Sequence, residues 1–162
     1  MVRDRNKEDR VVLENVGLIF RNFTGKEAKF NAKGKRNFGV KLDTPLARAM
    51  EKDGWNVKWL EGREEGEEPQ AFLRVAVSYK VRPPRVVLVT SNGRTPLSEE
   101  QVEMLDWADI LNVDLVITGY RWEVEGNTGI KAYLKSIFVK IDEDPLELKY
   151  SAVDDGPPPW DE

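Results

Sequence analysis

The sequence predicts a mainly β fold: a small antiparallel barrel with two short helices and a disordered acidic C-terminal tail. Three observations predict it. Five or more apolar segments, rich in β-branched residues, are separated by Gly, Pro and Asn punctuation. Only two short stretches carry helix-start signals, and strands do not alternate with long helices, which argues against a parallel sheet. After Asp142 the chain turns acidic, loses periodicity and runs into Gly156-Pro157-Pro158-Pro159, which cannot join a sheet.

The elements follow in order. Residues 11–20 read as one long strand with a bend near Gly17. Residues 23–26 punctuate it, and residues 28–30 and 36–42 form a hairpin around residues 32–35. Asp43-Thr44-Pro45 opens a short helix, where the missing proline N–H costs little, and Gly54 closes it. Residues 55–60 are a strand. Residues 72–80 alternate with period two, so Leu73, Val75 and Val77 face the core while Arg74, Ser78 and Lys80 face out. Pro83-Pro84 stops that strand, and residues 86–90 form the next, ended by Asn92-Gly93. Ser98-Glu99-Glu100-Gln101 has the form of a capping box and starts a second helix, to residue 105 or 110. Residues 113–124 and 130–141 are long strands joined by a hairpin at residues 125–129.

The expected organisation is a flexible charged N-terminus (1–10), one domain (11–145) and an acidic Pro-rich tail (146–162). The strand count, the bent first strand and the short helices fit an oligonucleotide/oligosaccharide-binding (OB) barrel, with a β-sandwich as the alternative.

The 162 residues include no Cys and no His. That excludes disulfides, thiol nucleophiles, ordinary zinc sites and the Ser-His-Asp triad. No run approaches the ~20 apolar residues of a membrane span, so the chain reads as a cytoplasmic protein with no membrane partner.

The formal net charge of -4 is unevenly placed. The last twelve residues hold four acids and no base, which leaves residues 1–150 neutral. Residues 61–68 hold five Glu and one Arg, and the rest of the body is +4. Residues 1–41 carry eleven bases against five acids, and residues 69–98 carry five bases and no acid. The body is therefore basic outside one Glu-rich loop.

A basic surface interleaved with aromatic side chains is what single-stranded nucleic acid requires, because bases stack on rings and phosphates meet cations. Arg21-Asn22-Phe23 and Arg36-Asn37-Phe38 each place a base two positions from an aromatic, hence on one strand face. Lys131, Tyr133 and Lys135 share one face of the last strand, and Tyr120 and Trp122 share one face of its partner. Arg74 and Lys80 share the outward face of the middle strand, and Lys33, Lys35 and Arg82 complete the phosphate contacts. Phe23, Phe38, Tyr120, Trp122 and Tyr133 are the stacking candidates, while Phe20, Phe72 and Phe138 read as core. The tail offers Asp154, Asp155, Trp160, Asp161 and Glu162: one large aromatic for a partner's pocket and carboxylates for its basic residues.

Enzyme readings are thin. Asp154-Asp155, Asp142-Glu143-Asp144 and the Glu-rich loop have carboxylates for magnesium, but nothing in the pattern pre-organises them. Gly25-Lys26 and Gly34-Lys35 lack the glycine spacing of a phosphate-binding loop and the Ser/Thr after Lys. No catalytic residue, cofactor or metal is expected, and a magnesium-dependent nuclease is the weakest reading.

The run from Phe20 to Glu27, then Phe30-Asn31, Gly34, Arg36-Asn37-Phe38, Asp43, residues 54–58 and residues 129–135, resembles phage-encoded OB-fold single-stranded DNA-binding proteins. The resemblance spans most of residues 11–141. It implies a non-catalytic protein that coats and protects single-stranded DNA in phage replication or recombination, in the host cytoplasm. The tail is similar in kind to the acidic tips of such proteins, which recruit replication partners such as a polymerase, helicase or primase. Here it ends Trp160-Asp161-Glu162 rather than in phenylalanine. The rival reading is a replisome or virion adaptor that docks protein and ignores DNA. A homo-oligomer stays open.

Overall fold

The computed structural model describes residues 9–29, 31–62, 64–80 and 82–143. The expected tail, with Asp154, Asp155, Trp160, Asp161 and Glu162, lies outside the described residues, as does most of the expected N-terminal segment. Asp9 and Arg10 already belong to the first strand.

The chain runs β1 (Asp9–Val16), β2 (Leu18–Asn22), β3 (Arg36–Leu42), α1 (Thr44–Asp53), β4 (Val57–Leu60), β5 (Gln70–Val77), β6 (Arg85–Thr90), β7 (Gly93–Pro96), a 3-10 turn (Val102–Asp106), β8 (Ile110–Val124) and β9 (Asn127–Ile141). One sheet joins the strands in the order β1-β8-β9-β5-β3-β2, with β4 on β5, β6 on β9 and β7 on β6. Most pairs are antiparallel, but β9 pairs in parallel with β5 and with β6. The hydrogen-bonded path is open rather than closed into the expected barrel. Its two ends, β1 and β2, are successive stretches of one segment that bends at Gly17.

Alternation built the strands as expected. Leu73, Val75 and Val77 of β5 are buried, and Arg74 is exposed. They meet Val40, Leu115, Ile117, Ile130, Leu134, Ile137 and Val139 in one core. Full burial of a side chain of this kind stabilises by about 1.5–3 kcal/mol. The β8–β9 hairpin turns on Glu125 (φ 51) and Gly126 (φ 83), the double positive φ of a tight two-residue turn.

Helix α1 forms where expected. Asp43 Oδ1 accepts from the Leu46 N–H at 2.9 Å, and Pro45 sits in the first turn. At the other end Gly54, at φ 108, reverses the chain, and the Trp55 N–H donates to Met50 O at 3.0 Å. The second helix is a five-residue 3-10 turn rather than an α-helix. The Ser98 N–H does donate to Gln101 Oε1 at 2.9 Å, as a capping box should. Arg21 Nη1 donates to the Leu105 carbonyl in this turn and to the Ala108 carbonyl just after it. Among the described residues no helix is long and apolar enough to cross a membrane.

Candidate nucleic-acid interface

The two Arg-Asn-Phe motifs lie side by side at the neck of the β2–β3 loop, and they are structural. Asn22 pairs with Asn37. Phe23 and Phe38 are both fully buried and stack on each other, centroids 5.1 Å apart at 17°. Neither ring is a base platform, because the pair is sealed in the core. Arg21 donates through Nη1 to Leu105 O (2.8 Å) and Ala108 O (2.7 Å), so its guanidinium is committed to the 3-10 turn. Arg36 donates through Nε to Phe23 O (2.9 Å), pairs with Glu99 at 3.0 Å and lies over the Tyr79 ring at 5.4 Å. These four residues fix the loop: the two rings fill the core, and the two guanidinium groups bridge it to the neighbouring elements.

The loop they fix is well tied. Asn22 Oδ1 accepts from the Gly25 and Lys26 N–H groups at 3.0 and 2.8 Å. Asn31 Nδ2 donates to Lys26 O and Lys35 O. Asp106 accepts from the Phe23 and Thr24 N–H groups and from the Thr24 hydroxyl at 2.6 Å. Gly25 (φ 78) passes so close to Gly34 that a Cβ would stand 3.1 Å from its carbonyl carbon. The neck therefore holds out a loop whose Lys33 and Lys35 are exposed. Lys26 lies over the ring of Trp107, itself 64% exposed, at 5.7 Å. Lys80 and Arg82 are exposed between β5 and β6.

Tyr79 sits inside this neck with its hydroxyl buried and unpartnered. Burial pushes that hydroxyl above its ordinary value, and the Arg36 guanidinium pulls it partly back. A raised folded-state value means the neutral ring stabilises the fold fully below the ordinary tyrosine range, and this is lost as pH rises through it. Tyr79→Phe should raise stability by about 1 kcal/mol and flatten the alkaline loss above about pH 10. Urea melts at neutral and alkaline pH check both.

The outer face of the sheet is the second part of the site. Ile117 pairs with Leu134 and both are buried, so the next pairs, Thr118–Tyr133, Tyr120–Lys131 and Trp122–Gly129, alternate onto the outer face. Tyr120 is 63% exposed and Trp122 37%. The Trp122 ring lies across Gly129, where a Cβ would come within 2.6 Å of it. Lys131 Nζ lies 5.1 Å from the Tyr133 ring centroid. Lys135, beyond Tyr133, is exposed. Tyr133 pairs with Ala76 and carries this face across to β5, where Arg74 is the next residue outward. Tyr120, Trp122, Lys131, Tyr133 and Arg74 thus lie on one face of the sheet, a grouping across strands that the separate strand faces did not give.

Beyond Arg74 the same face holds a residue that sequence reasoning misplaced. Phe20 is 54% exposed, not core. Between Ile19–Gly39 and Asn22–Asn37 the register shifts, so Phe20 and Arg21 together oppose Phe38. This bulge, with Phe20 at φ 51, sends the ring outward onto Phe72, edge-on at 5.4 Å. Phe72 is 7% exposed and is flanked on its two neighbouring strands by Lys41 and Lys58, both exposed. The period-two pattern had no way to signal Phe20, because a bulge inverts the parity on which that pattern depends. The Glu-rich connection leaves the sheet after Leu60 and re-enters at Gln70, at the end of this face.

A family model described as "Putative phage ssDNA-binding domain" matches residues 1–156. The chain belongs to that phage single-stranded DNA-binding family. Among solved structures, it is similar to the single-stranded DNA-binding protein from bacteriophage Enc34, at TM-score 0.53 and 14% identity over 84% of this chain and 83% of that one. The same phage protein in complex with ssDNA gives TM-score 0.56 at 13% identity, over 84% and 88%. At such identities the likeness is one of fold. No curated protein matches.

Proposed function

We propose that this family member binds single-stranded DNA without chemistry, on the outer face of its sheet. The observation that carries the reading is the grouping of Tyr120, Trp122 and Tyr133 with Lys131 and Arg74 on one exposed face, continued by Phe20 with Lys41 and Lys58. Bases stack on the rings, and every base has a π-face, so the binding tolerates any sequence. Phosphates meet Arg74, Lys131 and Lys135, with Lys33, Lys35, Lys80 and Arg82 extending the contact at the loop end. The architecture supports an OB barrel: bent β1–β2 is its first strand, flanked by β8 and β3, and β5 and β9 lie parallel. The role is coating of single strands in phage replication or recombination within the host cytoplasm, with the acidic tail recruiting a replication protein.

Titrating oligo-dT by protein fluorescence at about 50 and 200 mM salt tests the reading. One phosphate for each of these phosphate-binding cations gives a log–log salt slope near -5, hence roughly 900-fold weaker binding at the higher salt. Micromolar or tighter binding at low salt is expected. A protein that ignores oligo-dT at low salt is not a single-stranded DNA-binding protein. Removing residues 151–162 should leave DNA binding intact or tighter while abolishing capture of the replication partner.

A further inference from the structure

The outer face does not end at Tyr133. Further along β9, Ser136, Phe138 and Lys140 occupy it, and β6 replaces β5 as the neighbour. Phe138, expected in the core, is only partly buried. Arg85 of β6 and Arg94 of β7 both point onto its ring, each guanidinium carbon 5.5 Å from the centroid. Val87, which pairs with Phe138 on this face, is 1% exposed, so the ring is seated on packed sheet.

Two guanidinium groups sharing one ring repel each other. Attraction to the ring face offsets part of that. Neither Arg85 nor Arg94 pairs with a carboxylate among the described residues. Lys140 adds a third exposed cation on the same face. The acid nearest in register, Asp114, pairs with Phe138 across the ladder, and its Oδ1 is engaged by the Asn15 N–H at 2.8 Å. A preset pair of planar, forked donors without a counter-ion is suited to an oxyanion with several acceptor oxygens.

We infer that Arg85, Arg94 and Lys140 around Phe138 form a second phosphate-binding subsite that extends the DNA track along β9. This rests on the proposed single-stranded DNA binding and lengthens it. From Tyr133 to Phe138 the strand advances about 16 Å. A strand leaving Lys131 and Tyr133 passes Lys135 and reaches the arginine pair. A short oligonucleotide fills the Tyr120–Tyr133 site alone, and a long one engages both.

The test uses the full chain and its Arg85→Gln/Arg94→Gln double variant, with oligo-dT of about 6 and about 16 nucleotides, spanning the site sizes of such folds. The expected result is unchanged affinity for the short strand. For the long strand the salt slope should be shallower by about 1.4, the value for two lost phosphate contacts. Both positions are exposed, so thermal unfolding should match wild type, and a folded control is built in. Equal binding of the long strand by variant and wild type overturns the subsite. So does an equal loss for both lengths, which would place the arginines in the primary site. Tighter binding by the variant also overturns it, and would mean that the patch holds an acidic protein segment. A wild-type chain that binds neither length refutes the proposed function itself, a separate outcome.

Discussion

Phe38→Ala should destabilise the fold by about 3–5 kcal/mol, the usual cost of emptying a buried aromatic site. That is a large share of the 5–15 kcal/mol that holds a typical domain together. The cost is high here because Phe38 is fully buried and its partner Phe23 is equally buried, so the cavity opens against another ring. The neck around it also has little room to collapse. Arg36 is tied to Phe23 O, and Asp106 holds the Phe23 and Thr24 N–H groups. The loss is measured as a shift in urea midpoint. A variant stable to within about 0.5 kcal/mol of wild type but deficient in DNA binding would return Phe38 to the surface role that its motif suggests. DNA binding by the folded fraction of Phe38→Ala should be close to wild type.

That contrast shows where the sequence was readable and where it was not. The alternation in β5 and in the turn half of β8 and β9 was legible because those stretches keep parity, whereas the register shift opposite Lys135 inverts it and turns Phe138 outward. Leu73, Val75 and Val77 went in, and Tyr133 and Lys131 went out. The α1 caps were legible because they are local, set by Asp43, Pro45 and Gly54 within one turn of each end. The Arg-Asn-Phe motifs were not. Their aromatic and their base do sit two apart, but the face they occupy is set by the bulge at Phe20–Arg21 and by contacts more than eighty residues away, at Leu105 and Asp106. The same bulge exposed Phe20, whose place at the end of the apolar run Leu18-Ile19-Phe20 reads as core. The parallel pairing of β9 with β5 and β6 is equally long-range. It decides that Phe138 meets two arginines, and no local pattern announces it.

Tyr120→Ala and Tyr133→Ala should each weaken oligo-dT binding by about 1–3 kcal/mol, the worth of one stacked base. By the factor of ten per 1.4 kcal/mol, that is about 5- to 150-fold in Kd. Both side chains are on the outer face, Tyr120 63% exposed, so stability should hardly change. Trp122 is reached differently. Its ring lies over Gly129, so Gly129→Ala should displace the indole without removing it, and the affinity lost reports how far the ring's position matters. The salt dependence separates stacking from charge. Removing a ring takes away no phosphate contact, so the slope should stay fixed while the affinity drops at every salt concentration. Arg74→Gln and Lys131→Gln should do the reverse, each flattening the slope by about 0.7. Tyr133 is the informative position, because Lys131 lies over its ring and depends on it for placement. A Tyr133→Ala protein whose slope also flattens would mean that the ring acts by aiming the lysine at a phosphate. A constant slope makes the ring itself the platform. Unchanged affinity after loss of both Tyr120 and Tyr133 would remove the β8–β9 hairpin from the DNA site altogether, leaving the Phe20–Phe72 pair as the remaining aromatic surface between Lys41 and Lys58.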